Sequence, residues 1–81
     1  MTQTLIIEKM QKIFDGLLLD PVTLTAHLSA KDVDEWDSLL QVSIVVAIES
    51  EFGIRFNLGE VEATQNIGEF SDLIARKIIY K

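Results

Sequence analysis

Residues 38–52, Ser-Leu-Leu-Gln-Val-Ser-Ile-Val-Val-Ala-Ile-Glu-Ser-Glu-Phe, read as one helix that is apolar on nearly every face. Gln41, Ser43, Glu49, Ser50 and Glu51 are its main interruptions. A helix so uniformly apolar is expected at the centre of its fold. In a chain of 81 residues that leaves room for a few surrounding helices and little else. Both ends carry stop signals. Asp37 can accept bonds from the backbone N–H groups of the first turn, and Gly53 suits a left-handed C-cap. Leu39 is expected to open a buried run that continues to Phe52.

The flanking segments take helical spacing too. Ile6, Met10, Ile13, Phe14 and Leu17 mark a first helix over residues 3–15 that ends near Gly16. Leu19-Asp20-Pro21 then blocks continuation, because proline lacks an amide hydrogen and restricts the residue before it. Residues 20–36 form a long loop, with Val22, Leu24, Leu28, Val33 and Trp36 as its apolar anchors. After Gly53 the chain is extended or turn-like over 54–56, and 58–61 is expected to form one short helical turn. Asn66, with Glu69 three residues on, starts a last helix whose stripe is Ile67, Phe70, Leu73, Ile74 and Ile78. The expectation is a small all-α bundle of three main helices and one short one, with a long first loop, in one domain over 1–81.

Composition narrows the function classes. The chain is 48% hydrophobic, enough for a compact helical fold, and has no cysteine, which excludes disulfides and thiolate metal sites. Leu17–Leu19 and Ile44–Ile48, the longest apolar runs, are too short to cross a bilayer. Residues 1–4 lack the basic charge of a signal peptide, so a cytoplasmic protein is expected. The net charge of −6 is concentrated in residues 32–62, which hold eight acidic side chains and one basic one. That centre argues against nucleic acid and suits partners with basic docking surfaces.

Ser38 stands where the acidic loop meets the apolar helix. A hydroxyl at a helix N-terminus is well placed to carry a phosphate ester, since that end favours anions. It is not placed as a nucleophile of its own enzyme. The one histidine, His27, lies in the loop with no sequence cue tying it to Ser38, and an activated serine needs a base within reach. Asp32-x-Asp34 begins like a calcium loop but then supplies Trp36, Asp37 and Ser43 where an oxygen ligand, glycine and glutamate are needed, so no metal is expected.

Asp37-Ser38-Leu39, the helix to Glu49-Ser50-Glu51-Phe52-Gly53 and the order of elements over residues 3–79 resemble the acyl carrier protein family. The resemblance implies a non-enzymatic carrier with a 4'-phosphopantetheine arm from coenzyme A on Ser38, flanked by Asp37 and Leu39. It implies a phosphopantetheinyl transferase, an acyl- or aminoacyl-loading enzyme and downstream synthases as partners, and a monomeric state. The arm would bring the thiol that the chain lacks.

Two positions depart from the pattern of many fatty-acid carriers, which place acidic residues where this chain has Leu40 and Ser43. Leu40, Ile44 and Ala47 then form an apolar strip at helical spacing, and Glu49, Glu51, Glu60 and Glu62 supply the acidic part of an expected docking face. The expected role is an acyl carrier of a fatty acid, polyketide or specialised lipid pathway, and the departures point to a specialised carrier of a polyketide, lipid-modifying or aminoacyl pathway. The alternatives are an aminoacyl or D-alanyl type carrier loaded by an adenylating ligase, and an unmodified helical interaction module.

Overall fold

A computed structural model describes residues 2–57 and 59–79. It contains α1 (Gln3–Leu17), a short 3-10 helix (Ala30–Asp32), α2 (Ser38–Phe52) and α3 (Ile67–Ile79), with no strand among the described residues. The Thr2 hydroxyl starts α1 by accepting from the Leu5 N–H at 3.2 Å. The helix runs on through Gly16 to Leu17 and is closed by the Leu18 N–H on the Phe14 carbonyl at 2.8 Å. It outlasts its expected end because Leu17 and Leu18 still have core to cover.

α1, not α2, is the helix that packs against both of the others. Its face of Ile6, Met10 and Phe14 is sealed from solvent. α2 buries only Ile44, Ile48 and Phe52 fully, and Leu39, Val42 and Val46 point into water at 78%, 60% and 59% exposure. The expected central helix is therefore peripheral, and Leu39 stands outside the buried run. Uniform apolarity carries no direction, so the apolar pattern by itself does not say which face turns outward.

The first loop is fastened by its expected anchors: Leu24 and Val33 are buried, and Val22, Leu28 and Trp36 are half-buried against the core. Polar staples hold it as well. The Gln11 amide donates to the Val22 carbonyl at 2.8 Å and accepts from the Leu24 N–H at 2.7 Å. Farther on, the N–H groups of Ile67 and Gly68 reach back to the carbonyls of Leu28 and Ala26. A β-carbon at Gly68 would lie 3.0 Å from the Ala26 oxygen, so glycine permits the approach.

Gly53 ends α2 at φ 65°, as its sequence position implies. Leu58, part of the expected short helix, lies outside the described residues. Residues 59–63 form successive turns, closed by the Ala63 N–H on the Gly59 carbonyl. Asn66 caps α3 by accepting from the Glu69 N–H at 2.9 Å, while the Glu69 carboxylate accepts from the Gln65 N–H at 3.1 Å. The capping box is thus offset by one residue. Phe70 closes the core against Phe56, edge to face at 6.0 Å.

Candidate functional site

Ser38 is the first residue of α2 and its side chain is exposed. Asp37 before it is extended, and its carboxylate accepts from the Leu40 N–H at 2.8 Å. Its carbonyl takes the first helical bond, from Gln41 at 2.9 Å. The N–H groups of Ser38 and Leu39 belong to the first turn, where a helix offers no internal acceptor. They add to the positive end of the helix dipole beside the Ser38 hydroxyl.

The approach to this turn is tied down from two sides. The Glu35 carboxylate accepts from the N–H groups of Leu19 and Asp20 at 2.9 and 2.8 Å, joining the end of α1 to the residues just before Ser38. The Trp36 ring packs edge-on against Phe14 at 5.2 Å, and its indole N–H donates to Gln41 at 2.6 Å. Neither Glu35 nor Gln41 is flagged by sequence reasoning, because their partners lie on other segments. Beside Trp36 and Gln41 is a cavity of about 70 Å³, also lined by Val61, Thr64 and Phe70.

The expected docking residues do not form one face. Ile44 is fully buried in the core, and Leu40 and Ala47 are half-buried, so of this strip Ile44 is a core side chain. The acids mostly serve the fold. Glu49 accepts from the Phe56 N–H at 2.9 Å, and Glu51 pairs with Lys9 at 3.7 Å. Glu60 holds Lys77 and the Asn57 N–H, each at 2.6 Å, and these bonds keep its carboxyl below the ordinary range. Glu62 is exposed. The outward apolar residues of α2 are Leu39, Val42 and Val46, and Ser38, Ser43 and Ser50 on the same face were the available signal.

His27 lies exposed on the turn at 26–27. Among the described residues there is no metal-holding cluster, and no helix is long and apolar enough to cross a membrane. The geometry is that of a helical carrier module: a free hydroxyl at a braced helix start.

Known proteins give the same answer. Residues 16–74 match the family model described as a phosphopantetheine attachment site. The acyl carrier protein of Thermosynechococcus vestitus is 32% identical over 79 residues, spanning 96% of this chain and 98% of that one. A solution NMR structure of holo acyl carrier protein from Geobacter metallireducens has a TM-score of 0.77 at 33% identity, over 98% of this chain and 87% of that one. The chain belongs to the acyl carrier protein family. It is a carrier rather than a catalyst, and its prosthetic group is covalently attached 4'-phosphopantetheine.

Proposed function

We propose that Ser38 is the attachment residue, and that the protein holds an acyl group as a thioester on the arm for a dedicated set of partner enzymes. The observation that carries this is the exposed Ser38 hydroxyl at the first position of a 15-residue helix, inside the matched family span. A phosphodiester suits that position. The first-turn N–H groups and helix dipole favour its charge, and nothing needs to move to admit it, since the side chain is already in solvent. When bound, the arm supplies the thiol that a cysteine-free chain lacks.

The remaining chemistry belongs to positioning. Asp37 fixes where the helix begins and so which residue is first. Glu35 and Trp36 fix where that beginning sits relative to α1. The serine then offers its hydroxyl on a rigid mount while partner enzymes provide the catalysis, beginning with a phosphopantetheinyl transferase.

The outward face of α2 favours a specialised acyl pathway over the general fatty-acid one, because exposed Ser43 stands there in place of the expected acid. The same observation keeps an aminoacyl cargo, loaded by an adenylating ligase, as the second reading.

Intact-mass measurement after incubation with coenzyme A and a broad-specificity phosphopantetheinyl transferase tests the attachment. One phosphopantetheine is expected on the wild type and none on Ser38→Ala. A gain that persists in Ser38→Ala places the arm elsewhere.

A further inference from the structure

Gln41 stands three residues beyond Ser38, so the two side chains are neighbours on α2. It borders the cavity of about 70 Å³, whose apolar walls are Trp36, Val61 and Phe70. Exposed Ala30 and Gln65 border it too, so it opens to solvent. The Gln41 oxygen takes the Trp36 indole N–H at 2.6 Å, which leaves its amide N–H groups without a partner among the described residues. The Thr64 hydroxyl donates to the Val61 carbonyl at 2.6 Å and keeps its oxygen as an acceptor. Three apolar walls thus carry one free amide donor and one hydroxyl acceptor. That pairing suits a branched aliphatic group with an oxygen beside it.

We propose that this cavity receives the first segment of the phosphopantetheine arm, the branched carbon and the hydroxyl just beyond the phosphate. The proposal rests on Ser38 as the attachment residue. Beyond its phosphate the arm has a methylene, a carbon bearing two methyl groups, a hydroxyl and an amide, in that order. Trp36, Val61 and Phe70 take the methyl groups from water. Gln41 donates to the hydroxyl or amide oxygen that follows, and Thr64 accepts from the hydroxyl. Proximity selects this segment: Gln41 is one turn from the attachment point, so the atoms nearest the phosphate meet the cavity first. Size selects it again. The cavity has about half the volume of one of ~150 Å³ that admits benzene, so a few carbons fill it and a long acyl chain does not fit. The thiol at the far end is left outside for partner enzymes.

Trp36 is the chain's single tryptophan, so its fluorescence reports on this cavity. Holo protein is prepared with coenzyme A and a broad-specificity phosphopantetheinyl transferase, and intact mass confirms the gain of one arm. The acrylamide quenching constant of Trp36 is expected to fall about twofold from apo to holo protein, as for a cavity covered about half of the time. Nuclear Overhauser contacts should join the arm's two methyl groups to the Trp36 and Phe70 rings. Gln41→Glu keeps an oxygen for the indole N–H, removes the free donor and sets a negative charge beside the phosphate. Its fold should survive, as circular dichroism will show. Its apo protein should quench like the wild type, and its holo protein should gain no protection. Equal quenching of wild-type apo and holo protein, or the absence of those contacts, overturns the proposal without any variant. So does protection that persists in Gln41→Glu, or that appears only once an acyl group is loaded and so belongs to the cargo. A wild type that gains no mass overturns the Ser38 reading and this proposal with it, and the mass spectrum alone identifies that case.

Discussion

The indole N–H of Trp36 donates to the side-chain oxygen of Gln41 at 2.6 Å, reaching past Asp37 and Ser38 to the first turn of α2. The same indole stands edge-on to Phe14 at 5.2 Å. One side chain therefore ties the start of α2 to itself and to α1. The serine between its two ends inherits that placement.

Trp36→Phe keeps a ring against Phe14 and removes the donor. The expected loss is about 0.5–1.5 kcal/mol, the net worth of one hydrogen bond. Trp36→Ala removes the packing as well and should cost about 3 kcal/mol. Urea unfolding at pH 7 separates the two. Equal losses for Phe and Ala would mean that the ring contact contributes nothing.

Asp37 acts through its carboxylate on the Leu40 N–H. Asp37→Ala should lower stability by about 1 kcal/mol, and Asp37→Asn by much less, because the amide oxygen still accepts. For a domain of this size 1 kcal/mol is about 4–8 °C in Tm. A thermal melt of the two variants checks the order.

The helix ends at Asp37, Gly53 and Asn66 were legible because a cap is local chemistry: donor, acceptor and turn lie within a few residues. The loop anchors from Val22 to Trp36 were legible because an apolar side chain in a polar loop has one place to go. What the sequence did not contain was direction. α2 is apolar on both sides, so its periodicity left Ile44 and Val46 indistinguishable, and only the position of α1 separates them. The staples of Gln11 and Glu35 were hidden for a different reason. Each holds backbone groups 11 to 16 residues away, and backbone partners leave no trace in side-chain identity.

That ambiguity gives a direct stability test. Ile44 is fully buried and Val46 is 59% exposed. Ile44→Ala should cost about 2–4 kcal/mol through lost transfer energy and a cavity. Val46→Ala, with little core to lose, should stay within about 0.5 kcal/mol. Comparable losses at the two positions would put α2 in the wrong rotation.

Two glycines in helices should respond to alanine with opposite signs. Gly16 has nothing within 4 Å of where a β-carbon would stand, and it lies inside α1. Gly16→Ala should therefore stabilise by about 0.5–1 kcal/mol through helix propensity and a less mobile unfolded chain. At Gly68 the new carbon would meet the Ala26 oxygen at 3.0 Å and the Ala26 side chain at 3.2 Å. The Ala26 carbonyl is itself held by the Gly68 N–H at 2.9 Å, so it yields only by stretching that bond. Gly68→Ala should destabilise by about 1 kcal/mol net of the propensity gain. Differential scanning calorimetry should show Tm moving up in one variant and down in the other.

Glu60 provides the pH test. Lys77 at 2.6 Å and the Asn57 N–H at 2.6 Å favour its ionised form, so its carboxyl titrates lower in the folded protein than in the unfolded chain. A group of that kind stabilises the fold fully above its unfolded pKa, about 4.3 for glutamate. Its contribution fades as pH falls through the folded value. Glu60→Gln removes this acid-side dependence. The variant should be less stable than the wild type at pH 7, and the gap should close as the pH is taken toward 3. Salt should narrow the gap at neutral pH, because the pair is near the surface and screened. Paired urea titrations across that pH range measure it, and a gap that widens on acidification would reverse the sign assigned to Glu60.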